Sequence, residues 1–212
     1  MDASRGGYES PLKHTHMIRK NSKIYNILRQ KSSSKSLFDS FMEGYSPESE
    51  SCPTCHSSGN CIHHGYYCRM IIDYIGGKVV VHHVMVLRVF CKSCGHTHAI
   101  LPDFLIPYVS YGLFFVLQVL TRHFLKVNTL EALCEKYDLD PKTIRRWINV
   151  FNKHKLLTVG SLDDHHTSQA SFIRRILKSD LSGFLKDFLL ITSYSFLQSH
   201  QNPANCRSSI YT

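Results

Sequence analysis

Four of the eight cysteines in this 212-residue chain form two closely spaced pairs. The pairs are Cys52-Pro-Thr-Cys55 and Cys91-Lys-Ser-Cys94, and residues 56–90 separate them. A C-x-x-C turn directs two sulfur atoms towards one point, so two such turns supply the four thiolates of a tetrahedral zinc site. This ligand set leaves no position open for water. We therefore expect a structural Zn²⁺ ion rather than a catalytic one.

Two β-rich runs between the cysteine pairs are expected to position them. Residues 66–75 and 78–90 are rich in β-branched and aromatic side chains, and Gly76-Gly77 between them is typical of a hairpin turn. The interval exceeds the roughly 15–20 residues common between C-x-x-C pairs. A long hairpin removes this difficulty because its two ends meet. The sequence therefore predicts a zinc ribbon over residues 51–107.

Other residues of metal-ligand type surround the two pairs, namely Cys61, His63, His64, Cys68, His96 and His98. They could replace a primary ligand or hold a second metal ion. Ordinary packing is the simpler explanation for Cys61, in a predicted loop, and for Cys68, in a predicted strand. A separate group, Asp163-Asp164-His165-His166, follows Gly160-Ser161 in an apparent linker without regular spacing, which favours a solvated loop.

The region after Pro107 has helical periodicity. Apolar residues recur there at three- and four-residue steps, which predicts a helix ending near Lys126. Asn128 as N-cap with Glu131 then predicts a short second helix. Asp140 can cap a third helix with Pro141 at its first position, running to about Lys153.

The last two of these helices have the layout of a helix-turn-helix, in which the first helix braces a second that enters the major groove of DNA. Ile144, Trp147, Ile148 and Phe151 are expected to face the core. The opposite face carries residues suited to bases and phosphates, which are Lys142, Thr143, Arg145, Arg146 and Asn149. The alternative is a helical hairpin whose basic face is simply solvated.

Composition is consistent with a polyanionic partner. Lys and Arg exceed Asp and Glu by 25 − 16 = 9, although excess Lys can also serve solubility.

The N-terminus has no apolar signal region, so we expect a cytoplasmic protein whose cysteines are reduced. The uncharged run at residues 104–121 contains Pro107, Gly112 and Gln118, and we interpret it as a core helix rather than a membrane span.

Part of the chain resembles an uncharacterised family of transposase-like prokaryotic proteins. The resemblance rests on CPTC at residues 52–55, HGYY at 64–67, RVFCKSCGHTHAILP at 88–102 and FLIPY at 104–108. Residues 132–147 are similar to the helix-turn-helix of insertion-sequence transposases, except that Asp138 stands where Gly is usual. The resemblance implies a recognition region, while the catalytic domain with three carboxylates that follows in such transposases has no counterpart here.

The sequence therefore predicts an α+β protein with four segments. These are a flexible polar arm at residues 1–50, the zinc ribbon at 51–107, the helix-turn-helix at 108–158, and C-terminal helices with a polar tail at 159–212.

The predicted function is zinc-stabilised binding of double-stranded DNA, transposon-associated or regulatory, without enzyme activity. One alternative is a protein-interaction module that does not bind DNA and docks through the ribbon and the apolar helix at residues 104–125. Another is a nuclease or transposase remnant acting through Asp163, Asp164 and His166. A transposase or another protein is a further possible partner, and the sequence leaves the oligomeric state open.

Overall fold

The structure, a computed structural model, describes residues 17–22, 33–159 and 168–199. Over these ranges the chain is α+β, as predicted. The four strands form one sheet, and they are β1 (Met17–Lys20), β2 (Cys61–Ile75), β3 (Lys78–Cys91) and β4 (Thr97–Pro102). The α-helices are α1 (Ser34–Met42), α2 (Leu113–Phe124), α3 (Leu130–Tyr137), α4 (Pro141–Val159), α5 (Gln169–Lys178) and α6 (Leu181–Thr192).

The strands of the sheet lie in the order β1-β4-β3-β2. Gly76 and Gly77 connect β2 and β3, and both have positive φ, 58° and 82°, as a tight two-residue hairpin turn requires. β3 and β4 pair antiparallel, with Val89 opposite His98. β2 begins at Cys61 rather than Tyr66, and β4 was not predicted. Both differences arise because pairing with β3 extends strand structure into residues whose local pattern is weak.

The chain divides into two compact units. In its described part, the first unit comprises residues 17–20, 42–68 and 85–101, which include both cysteine pairs. The second comprises residues 21–22, 33–41, 69–84, 102–159 and 168–199, which include all of α2 to α6.

Helix α2 lies in the core of the second unit, where it packs against α3, α4 and α5. Its buried side chains are Leu113, Phe115, Val116, Leu117, Val119 and Leu120. The helix begins at Leu113 rather than directly after Pro107, because the preceding backbone pairs with β2: the amide of Ile72 donates to Ser110 and that of Gly112 donates to Ile72. Within the described ranges, every helix is too short or too polar to cross a bilayer.

The caps of α3 and α4 position the two helices. Thr129, not Asn128, caps α3, since its hydroxyl accepts the amide of Ala132 at 3.3 Å. The Asn128 side chain instead accepts a hydrogen bond from Arg122 at 3.2 Å. Asp138 ends α3 in the left-handed conformation, at φ 51°.

Helix α4 starts at the predicted Pro141, where the Asp140 carboxylate accepts the amide of Lys142 at 2.6 Å. It ends at Val159 rather than near Lys153. The extra turns are anchored by His154, which is fully buried and whose Nδ1 accepts the amide of Leu197 at 3.0 Å.

Residues 1–50, expected to be an irregular arm, contain β1 and α1. The N-terminus of α1 is held by Asp73 of β2, whose carboxylate accepts both the amide and the hydroxyl of Ser34 at 2.7 Å. Local sequence does not reveal this cap because its partners are far apart in the chain. Residues 23–32, the group Asp163–His166 and the tail from residue 200 lie outside the described residues.

Candidate metal centre and basic helix face

The first unit brings the four cysteines of the two C-x-x-C pairs together. The Sγ atoms of Cys52, Cys55, Cys91 and Cys94 all lie within 4.8 Å of one another. The short contacts join one pair to the other: Cys52 Sγ lies 3.6 Å from Cys94 Sγ, and Cys55 Sγ lies 3.7 Å from Cys91 Sγ. The four predicted ligand atoms therefore form one cluster.

Both cysteine turns have the same backbone hydrogen bonds. In the first turn the amide of His56 donates to Cys52 O and the amide of Cys52 to Ser57 O, each at 2.9 Å. In the second turn the amide of Gly95 donates to Cys91 O and that of Cys91 to His96 O, also at 2.9 Å.

The matched geometry needs a left-handed residue at the same place in each turn. Gly95 occupies it at φ 72° and His56 at φ 59°. Glycine adopts this conformation without strain, whereas a residue with a Cβ does so less readily. The two turns are therefore equivalent in shape although only one has glycine.

Polar contacts connect the two turns independently of any metal ion. The hydroxyls of Ser57 and Ser93 lie 2.9 Å apart, and the amide of Lys92 donates to Asn60 O at 2.9 Å. The Asn60 side chain also donates to Ser57. These bonds hold the sulfur atoms close together, so part of the ordering cost of a metal site is met by the fold itself. Sequence analysis missed this set because its members are separated in the chain.

The thiols have strongly perturbed protonation. The pKa of Cys91 falls to about 6: burial, the largest influence, raises it, but the backbone amides of Cys94 and Ser93 and neighbouring thiols together outweigh burial. The pKa of Cys94 rises to about 12. The amide of His96, the largest single influence, lowers this pKa, but burial and the three other thiols together outweigh that amide. One thiolate thus forms easily and opposes ionisation of the next, and a bound cation would relieve this repulsion.

The spacing fits a four-coordinate metal ion. With metal–sulfur bonds of about 2.3 Å, the edge of a regular tetrahedron is about 3.8 Å, close to the 3.6 and 3.7 Å contacts. In the part of the chain that the structure describes, this is the only group of three or more Cys, His, Asp or Glu residues that could hold a metal ion. The four cysteines can therefore bind one metal ion.

Two other candidate residues lie beside this group. His98 is fully buried, and its Nε2 is 3.2 Å from Cys52 Sγ. Cys61 is also buried, and its pKa rises to about 11 chiefly through burial and then through the charges of Cys91 and Cys52. Cys68 and His64 are exposed on β2.

In the second unit, α4 has the predicted division into two faces. Ile144, Trp147 and Phe151 are buried, with the Trp147 ring 4.9 Å from that of Tyr111, while Ile148 is half-buried. Of the residues proposed to meet DNA, Thr143 is half-buried. The exposed ones are Lys142, Arg145, Arg146 and Asn149.

Three basic side chains of β2 and β3 differ in how far they are exposed for contact with phosphate. The guanidinium group of Arg69 donates to the carbonyls of Ile106 and Val109. Arg88 is exposed and donates to the Thr97 hydroxyl at 2.7 Å. Lys78 is exposed at the start of β3. Arg69 is thus a structural residue of the second unit.

Comparison with known proteins identifies a matching family. Residues 52–147 match the family described as "Domain of unknown function (DUF6431)". The match begins at the first cysteine of the cluster and ends at Trp147 within α4, so it includes all four cysteines and the start of the basic face. Comparison with the curated proteins and with the solved structures gives no match.

Proposed function

We propose that this protein binds double-stranded DNA through α4 and is stabilised by a zinc ion held by Cys52, Cys55, Cys91 and Cys94. The observation that carries the proposal is the division of α4, where apolar side chains are buried on one face and cations are exposed on the other. The net charge of +9 favours a polyanionic partner.

Zinc is the metal that the ligand set favours. Four thiolates at tetrahedral spacing are typical of structural zinc sites, and softer donors disfavour Mg²⁺ and Ca²⁺. The ion would have no open coordination position, so its role would be to fix the two cysteine turns. The chain's own residues then provide shape rather than chemistry, and we propose no enzyme activity.

In the proposed helix-turn-helix, α3 braces α4 against the core, and the two helices are in contact. Arg145 and Arg146 could each read a guanine bidentately, and Asn149 could read an adenine. Lys142 and Thr143, near the N-terminus of α4, are placed to contact phosphates, which also favour a helix N-terminus.

The biological setting follows from the sequence resemblance to transposase-like proteins. A protein with this recognition region and no catalytic role would act as a transcriptional regulator or as an accessory in transposition. Either role predicts preference for one DNA sequence over others, beyond the general attraction of a basic protein to phosphate.

A protein-interaction module is the second candidate, because apolar side chains are exposed on the second-unit part of the hairpin. Met70, Val79 and Val81 are 41%, 43% and 50% exposed. The apolar segment at residues 104–125, of which residues 113–124 form α2, is a poorer docking surface than expected, since the apolar side chains of α2 are largely buried. Partner capture that is insensitive to salt, with no DNA binding, would favour this candidate.

Fluorescence anisotropy with a selected duplex tests the DNA proposal. Arg145→Ala should weaken binding to the selected duplex by about 1–3 kcal/mol. Lys142→Ala should weaken binding to every duplex, whatever its sequence, and should reduce the slope of log K against log salt concentration by about 1. Arg174→Ala and Lys186→Ala are charge-matched controls, since both residues are exposed on other helices. Unchanged binding by Arg145→Ala, or equal loss in the controls, would refute the assignment to α4.

A further inference from the structure

His98 occupies a constrained position beside the four-cysteine group. It lies in β4, where pairing of Val89 with His98 fixes the register against β3, and none of its surface is exposed. Its Nε2 lies 3.2 Å from Sγ of Cys52, which is also fully buried. A buried imidazole at this distance from a sulfur atom is a hydrogen-bonding partner rather than a mere packing contact.

We propose that His98 is a positioning residue of the metal centre, whose Nε2–H group donates a hydrogen bond to the Cys52 thiolate. The proposal rests on metal binding by the four cysteines, as set out above. His98 does not coordinate the ion. It fixes the direction of the Cys52 sulfur and partly compensates the negative charge that four thiolates bring to one divalent ion.

Cys52 has particular need of such a donor. It is completely buried, as is Cys91, whereas Cys55 is exposed and Cys94 is half-buried. Cys91 differs from Cys52 in that two backbone amides, those of Ser93 and Cys94, donate to its sulfur atom. Among the described residues, the Cys52 sulfur atom accepts a hydrogen bond from one backbone amide, that of Thr54 at 3.4 Å. The imidazole therefore supplies at short range a donor that water cannot supply at this sulfur.

His96 provides a matched control in the same hairpin. It is exposed, and its Nδ1 lies 3.1 Å from the backbone oxygen of Cys94 rather than from a sulfur atom. The backbone of His96 maintains the second turn, and a side-chain substitution leaves that backbone in place. A substitution at residue 96 thus changes a nearby histidine without removing a donor to a thiolate.

The first test measures Co²⁺ affinity by competition with a chromophoric chelator. His98→Phe preserves a flat ring but removes the donor, and we expect affinity to fall about 10- to 100-fold, as for other partners of metal ligands. His98→Gln keeps an N–H donor and should restore most of the affinity. The sulfur-to-cobalt charge-transfer band should shift in His98→Phe and not in His96→Phe, because only the first variant changes a thiolate ligand.

Equal affinity and an unchanged band in a folded His98→Phe protein would overturn the proposal. Failure of His98→Gln to restore what His98→Phe loses would also overturn it, since the role would then be one of ring packing. If the wild-type protein binds no Co²⁺, the metal centre and the role of His98 fail together. If only the wild-type and His98→Phe affinities are equal, the metal centre stands and His98 alone is excluded.

A second measurement needs no variant and so does not depend on whether His98→Phe folds. In ¹¹³Cd-loaded, ¹⁵N-labelled wild-type protein, a long-range ¹H–¹⁵N spectrum should place the His98 proton on Nε2, with a through-bond coupling to cadmium across the hydrogen bond. An unprotonated Nε2 would overturn the proposal.

Discussion

Replacing one cysteine of the cluster should weaken metal binding in a way that a cysteine outside the cluster does not. Cys55→Ser is the most informative change because Cys55 is exposed. The substitution leaves no buried cavity, so the loss reports on coordination rather than on packing.

The loss of metal-binding free energy in Cys55→Ser can be estimated from the typical free energy of a four-cysteine zinc site. Structural zinc sites of this kind contribute about 10–16 kcal/mol at neutral pH. If four comparable thiolates share this equally, one accounts for about 2.5–4 kcal/mol, which corresponds to about a 100- to 1,000-fold change in affinity.

The assay is competition for Zn²⁺ with a chelator of known affinity, using reduced protein. Cys68→Ser is the control, since Cys68 is exposed on β2 and does not belong to the cluster. Wild-type affinity in Cys55→Ser would refute the four-cysteine site. Equal weakening in Cys68→Ser would show that the ligand set has been assigned wrongly.

Three further predictions concern the same two units. Gly95→Ala should lower the free energy of unfolding of the metal-loaded protein by about 1–2 kcal/mol in denaturant, because Gly95 has the left-handed backbone conformation. His56→Gly should not lower it, because glycine adopts the left-handed conformation of residue 56 without strain. Phe151→Ala should lower the free energy of unfolding by about 3–5 kcal/mol, because the fully buried ring packs 4.8 Å from Phe124; near wild-type stability would contradict this packing. Metal affinity should fall as pH decreases, because protons compete with the metal ion for thiolates such as that of Cys94, whose pKa is raised to about 12. A pH-independent affinity measured by Co²⁺ titration would contradict thiolate coordination.

The metal cluster was predictable because C-x-x-C spacing is a local signal that fixes ligand geometry. The Gly76-Gly77 turn and the start of α4 at Pro141 were predictable for the same reason. In each case a few adjacent residues determine the backbone conformation.

What sequence reasoning missed depends on partners far apart in the chain. β4 becomes a strand by pairing with β3, and α1 is capped by Asp73, which lies in β2. The contact of His98 with Cys52 likewise arises only when the two cysteine turns meet. Local propensity contains no information about such contacts, whereas tertiary structure determines them.

The prediction of Asn128 as the cap of α3, where the structure has Thr129, is a different kind of error. Both residue types can cap a helix, and sequence alone does not rank neighbours that differ by one position. In the structure Asn128 accepts a hydrogen bond from Arg122, which leaves Thr129 to receive the amide of Ala132.

Selection of bound sequences from a random pool of DNA duplexes tests the central claim most directly. The zinc-loaded protein should enrich a defined motif, and a variant with Lys142, Arg145 and Arg146 all changed to alanine should enrich none while retaining its fold and its metal. Absence of any enriched motif with the wild-type protein, or the same motif with the triple variant, would contradict DNA recognition by α4.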